Sequence, residues 1–170
     1  MSFEKPYEGL KVVDLSQGVA GPYCAMLLAQ WGADVIKVEP PDGDWARILG
    51  PRYGDHTAFS IAGNLGKRSI AIDLKQAAGR TVLKRLVGGA TIFIQGFRPG
   101  VMERLGYGWD DLHAEYPRLI YGAVADFLNM SCCGIDNPYA FNVADIAIFA
   151  GAIGLVLFTG GSPRGKKKGG

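Results

Sequence analysis

Cysteine and histidine are scarce in this chain of 170 residues, with three of the first and two of the second. Cys24, Cys132 and Cys133 make no C-x-x-C pair, and an odd count points to a reducing, cytoplasmic compartment rather than a disulfide framework. His56 and His113 stand far apart, with no Cys or acidic residue at ligand spacing, so no metal site is expected. An excess of one charge is also lacking. The net charge is +2, part of it from the tail residues Arg164, Lys166, Lys167 and Lys168, which argues against nucleic acid as a partner. No signal peptide is expected from the polar start MSFEKPYEG. What is present is a globular composition, 48% hydrophobic and 20% charged, long enough for one domain with a core.

The stretch Leu10 to Pro41 reads as strand, tight loop, helix and strand. Lys11 to Leu15 is a short β-branched run containing Asp14. Gly18 and Gly21 allow a sharp turn, and Pro22 suits the first turn of a helix, where its missing N–H is no loss. The helix is expected over Tyr23 to Trp31, with Ala25, Leu28 and Ala29 on its apolar face and Gly32 as its stop. Asp34 to Val38 is the second strand. This order implies a parallel pair with a right-handed crossover, and it places the loop Ser16–Gly21 at the carboxyl end of the first strand, where α/β sheets bind ligands.

The segment from Pro40 to Phe59 is rich in Pro, Gly and Asp and reads as an excursion rather than a hairpin. Ser69 to Leu74 alternates like a strand, and Lys75 to Gly88 is near helical spacing. Ala90 to Gln95 is a further strand. Short helices are expected over Val101–Leu105 and Asp110–Glu115, then a strand over Arg118–Val124. The alternation argues for a parallel α/β sheet up to about residue 124. Beyond it, Ile146 to Phe158 is wholly apolar or glycine. Counted from Tyr139, the run reaches the ~20 residues of a membrane span, and the basic tail behind it suits a cytoplasmic end.

Several side chains invite a chemical reading. The Ser16–Pro22 loop could cradle a phosphate with backbone N–H groups, although it lacks the G-x-G-x-x-G fingerprint, and a tight βα turn explains its glycines equally. Arg47, Arg52, Lys67, Arg68, Arg98 and Arg104 lie on loops where they could meet phosphates or simply face solvent. Cys24 could be a lowered-pKa thiol, but a small buried helix residue is the simpler reading. Asp145 heads the apolar run, and Asp126 lies in Val124-Ala125-Asp126-Phe127. Such a pair could share one proton and activate water, and equally Asp145 could cap a helix.

Residues 7 to 122 carry VVDLSQGVAGPYCAMLLAQWGADVIKVEPP, GKRSIAIDLK, FRPGVMERLGYGWDDL and PRLIYG in that order. The set resembles the N-terminal part of the class III CoA-transferases, which include formyl-CoA transferase, carnitine CoA-transferase and α-methylacyl-CoA racemase. The resemblance implies a partial Rossmann-like, parallel-sheet α/β domain that binds coenzyme A, cut short, in a chain that pairs with a second copy. CoA would lie over Gln17, Gly18, Val19 and Ala20, with Lys67, Arg68, Phe97 and Arg104 nearby. Where the family has Glu-Asn-Phe before Arg-Pro-Gly, this chain has Gln95-Gly96-Phe97. The family's nucleophile is an aspartate that carries the acyl group as a mixed anhydride, and Asp145 falls near its expected place.

Residues 122 to 170 also resemble the end of lipoprotein signal peptidase, signal peptidase II, through Val124-Ala125-Asp126-Phe127 and Phe141-Asn142-Val143-Ala144-Asp145. That resemblance implies a protease dyad of Asp126 and Asp145, and with it a patchwork joined near Tyr121-Gly122. The division expected is therefore an α/β domain over 1–122 and an apolar helix with a basic tail over 123–170. Three functions follow. The first is a truncated CoA-transferase-like protein acting on a CoA thioester and a carboxylic acid. The others are a membrane aspartyl peptidase remnant, touching the bilayer through 139–158, and a non-catalytic α/β fragment.

Overall fold

A computed structural model describes residues 5–124. Asp126, Asp145, the apolar run 146–158 and the basic tail lie outside the described residues. Within them the parallel sheet expected from the alternation is present. Strands β1 (Lys11–Asp14), β2 (Asp34–Glu39), β5 (Arg68–Ala71), β6 (Ile92–Gln95) and β7 (Ile120–Ala123) form it in the order β5-β2-β1-β6-β7. All four neighbouring pairs are parallel, with Val13 of β1 in register with Ile36 on one side and Phe93 on the other.

Strand alternation divides the core in two. Val12, Val35, Ile92 and Ile94 point to one face and pack on Ala25 and Leu28 of α1 (Ala20–Gln30). Val13, Leu15, Val38 and Phe93 point to the other. There they meet Leu83 and Val87 of α3 (Ala77–Gly88), Met102 of α4 (Val101–Arg104) and Leu112 of α5 (Trp109–Glu115). The central strands are covered on both faces, which is why they read as apolar runs.

Helix α1 starts three residues before the expected Tyr23, because Val19 accepts the Tyr23 N–H at 2.9 Å and draws Ala20 to Pro22 into the first turn. Its end is as expected. Gly32, at φ +102°, donates to the Ala29 carbonyl, and Ala33 donates to that of Leu28, a Schellman closure that leaves the chain aimed into β2.

The excursion after β2 differs from expectation. It holds a 3-10 turn (Trp45–Ile48), a minimal antiparallel hairpin of β3 (Arg52–Tyr53) and β4 (His56–Thr57), and helix α2 (Ala58–Ala62). The two-residue Gly54-Asp55 turn is a hairpin signal that segment length alone had masked. Among the described residues, no helix is long and apolar enough to cross a membrane.

Candidate functional site

The sheet order reverses at β1: the chain moves from β1 outward through β2 to β5, then returns to β6 on the other side. At such a switch point the loops leaving neighbouring strands diverge and open a crevice at their carboxyl ends. The crevice is present. A mainly apolar cavity of about 240 Å³ is walled by Leu15 and Gln17 after β1, Val38 and Pro40 around the end of β2, Ile72 to Lys75 after β5, and Phe97 after β6. Leu105, just past α4, completes it on the α3 face of the sheet. A polar cleft of about 370 Å³, with Arg47, Arg52, Asp42 and Asp55 on its walls, adjoins it through Glu39 and Pro40.

Of the residues singled out from sequence, Gln17 and Phe97 line this cavity. The Phe97 N–H donates to Gln95 Oε1 at 2.7 Å, so the Gln95 side chain holds the β6 loop in shape. Gly18, Val19 and Ala20 continue the same β1–α1 loop, and exposed Arg104 precedes the lining residue Leu105 on α4. Lys67 and Arg68 are turned elsewhere. The Lys67 ammonium donates to Asp14 Oδ2 at 2.7 Å, the Pro22 carbonyl at 2.7 Å and Asn64 Oδ1 at 3.0 Å, which uses all its protons beneath α1. Arg68 forks onto Asp34 at the opening end of β2, and both side chains are exposed. Lys75, at the cavity rim, is the cation that sequence reasoning missed. It lies inside the GKRSIAIDLK motif, but spacing alone assigned it to the start of a helix.

On the α1 face of the same strand ends lies a buried polar network. Asp14 accepts the Ser16 N–H at 3.0 Å and the Ser16 hydroxyl. Lys37 donates to Asp44 Oδ2 at 2.8 Å and to the Ser16 carbonyl. Asp44 Oδ1 accepts the N–H groups of Gly18 at 2.8 Å and Ala46 at 2.9 Å. Glu39 accepts the Asp44 N–H and two bonds from Arg47, at 2.7 and 2.9 Å. The N–H groups of Ser16 and Gly18 are therefore engaged within the protein, so the loop cannot present them to a phosphate.

The electrostatics follow from this packing. Burial works to raise the Glu39 carboxyl, but the Arg47 hydrogen bond, the Asp44 N–H and the charges of Arg47 and Lys37 outweigh it and hold the group at about 2. Burial lowers the Lys67 ammonium, with Asp14 opposing the shift. Cys24 settles to its simpler reading: burial, then the Asp14 charge, push its thiol up to about 12, so it is a packed helix residue and not a nucleophile. Among the described residues, no group of three or more His, Cys, Asp or Glu could hold a metal.

A family model described as CoA-transferase family III matches residues 7–168. The chain is 36% identical over 156 residues to an acetyl-CoA:oxalate CoA-transferase of Acetobacter aceti, covering 91% of this chain and 39% of that protein. It is 42% identical over 137 residues to a succinyl-CoA–D-citramalate CoA-transferase of Chloroflexus aurantiacus, covering 79% and 33%. It is 32% identical over 158 residues to a human succinyl-CoA:glutarate CoA-transferase, covering 92% and 35%. The chain thus spans between about a third and two fifths of the length of these curated relatives.

Among solved structures, the Rv3272 protein of Mycobacterium tuberculosis superposes with a TM-score of 0.75 at 30% identity, covering 92% of this chain and 51% of that one. A CAIB/BAIF family protein of Brucella suis gives 0.67 at 40% identity, covering 71% and 33%. The family match runs past the junction expected near Tyr121-Gly122, and the resemblance of residues 122–170 to a signal peptidase finds no support in these matches.

Proposed function

The chain belongs to CoA-transferase family III, and on that premise we propose that it binds coenzyme A or an acyl-CoA at the carboxyl ends of β1, β5 and β6. The observation that carries the proposal is the apolar cavity between Gln17 and Phe97, with Lys75 at its rim. Its volume of about 240 Å³ suits one ring system rather than a whole coenzyme. The adenine would lie against Phe97 and the aliphatic walls of Leu15, Val38 and Ile72. The phosphates would then meet Lys75 and Arg104, and the remainder of the coenzyme would cross the loop Gln17 to Ala20.

In the same reading the reaction moves CoA between two carboxylic acids. The Asp145 carboxylate attacks the thioester carbonyl, forming a mixed acyl anhydride and releasing the CoA thiolate. The thiolate then attacks the aspartyl carbonyl and expels the first acid, and the second acid takes CoA from that aspartyl thioester through a second anhydride. Pairing with a second copy, implied by the family, belongs to this proposal, and sedimentation showing only monomer at all concentrations rejects that part.

Calorimetric titration with CoA tests the binding step directly. Saturable heat, lost in Phe97→Ala and weakened in Lys75→Glu, is expected. No heat at millimolar CoA overturns the proposal and leaves an α/β scaffold without this ligand. Hydroxylamine trapping of an acyl group, absent in Asp145→Asn, tests the transfer step.

A further inference from the structure

We propose that the buried Lys37–Asp44 pair is a positioning device that sets Gln17 for ligand binding, an inference that rests on the coenzyme reading of the cavity. The two side chains are each 1% exposed and meet at 2.8 Å on the α1 face of the sheet. The cavity lies on the opposite face. Between them runs the β1–α1 loop, and the pair holds it at two successive points. Lys37 takes the Ser16 carbonyl, just before Gln17, and Asp44 takes the Gly18 N–H, just after it. The backbone on both sides of Gln17 is thus anchored from behind, while Gln17 itself lines the cavity in front.

Neighbouring contacts stiffen the clamp. Asp44 Oδ1 also caps the 3-10 turn through the Ala46 N–H, and the Asp44 N–H is held by Glu39 at the end of β2. The Trp45 indole then covers Gly18 so closely that an added Cβ would come within 2.1 Å of it. A buried ion pair is weak support for stability alone, because desolvating two charges offsets much of their attraction. What this one supplies, and an apolar pair could not, is two directional bonds to a loop backbone. Holding that loop before the ligand arrives removes an ordering cost from binding.

A double-mutant cycle between Asp44 and Gln17, read by CoA calorimetry, separates positioning from mere stabilisation. Asp44→Ala is expected to weaken CoA about tenfold when Gln17 is present, and by no more than about twofold in the Gln17→Ala background. Equal weakening in both backgrounds overturns the proposal. Should Asp44→Ala not fold, the charge-neutral pair Lys37→Met with Asp44→Asn enters the same cycle, since it frees the Ser16 carbonyl without stranding a charge. If the wild type binds no CoA, the ligand reading fails and hydrogen exchange decides the clamp by itself. Gly18 amide exchange that is at least about tenfold faster in Asp44→Ala supports the clamp, and unchanged exchange overturns it.

Discussion

The Lys67 ammonium lies 2.7 Å from Asp14 Oδ2, with the two side chains 1% and 0% exposed, so a cation that precedes the edge strand β5 neutralises an acid at the end of β1. Lys67→Met strands the Asp14 charge in the interior and is expected to lower stability by on the order of 3–5 kcal/mol, read by urea unfolding. The remaining folded protein should keep CoA affinity within about threefold, because every Lys67 proton already serves the protein. A stable Lys67→Met protein that has lost CoA would instead make Lys67 a ligand contact.

Acid should unfold the chain partly through Glu39. The folded carboxyl sits at about 2, below its ordinary 4.5, so its contribution is present in full above the ordinary value. It is lost as pH falls from about 5 toward 2, because the unfolded chain then binds the proton more readily. Over that window Glu39→Gln, whose amide does not titrate there, should lose less stability than wild type, by on the order of 2–3 kcal/mol at the acid end. Parallel pH-dependent unfolding curves for the two proteins would remove this account.

Gly21 faces the Ser16 side chain, and a Cβ built on it would lie 2.3 Å from Ser16 Cβ and 2.4 Å from its hydroxyl. Ser16 cannot yield easily, since its hydroxyl is tied to Asp14. Gly21→Ala should therefore destabilise by about 1–3 kcal/mol, although alanine is ordinarily the better helix former. Thermal unfolding at or above the wild-type midpoint would contradict the packing.

Gly96 presents the opposite case. Its added Cβ would meet Ser16 Cβ at 3.5 Å, an ordinary contact, so the position has room for a methyl group. Gly96→Ala is expected to stabilise slightly, by about 0.4–1 kcal/mol, through a less free unfolded chain. CoA affinity should stay within about twofold, because the new methyl faces Ser16 and not the cavity, as titration calorimetry can measure. Weaker binding would show that the glycine itself serves the site.

Much of this molecule was legible in local pattern. Val12, Val13 and Val35 read as strand residues, Gly32 as a helix stop and Ser16–Gly21 as the turn from β1 into a helix, because each depends on neighbours within a few positions. The hairpin of β3 and β4 was missed because an excursion's length was weighed above its two-residue Gly54-Asp55 turn. Asp44 carries no local signal of its role. An acid in a Pro- and Gly-rich loop looks solvated until its partners Lys37 and Gly18, 7 and 26 residues away, are known.

The site divides in the same way. The sequence by itself determined the alternation of strands and helices, the family frame and the loop around Gln17. Only tertiary structure decided which charges stand beside that loop. The order β5-β2-β1-β6-β7 brings Lys75 and Phe97 to one cavity, turns Lys67 inward beneath α1 and leaves Arg68 at the opposite end of the sheet. Residue spacing records which face of its own strand a side chain takes. Which strands become neighbours is settled by non-local pairing and burial, and that choice separates a cation at a cavity rim from one neutralising a buried acid.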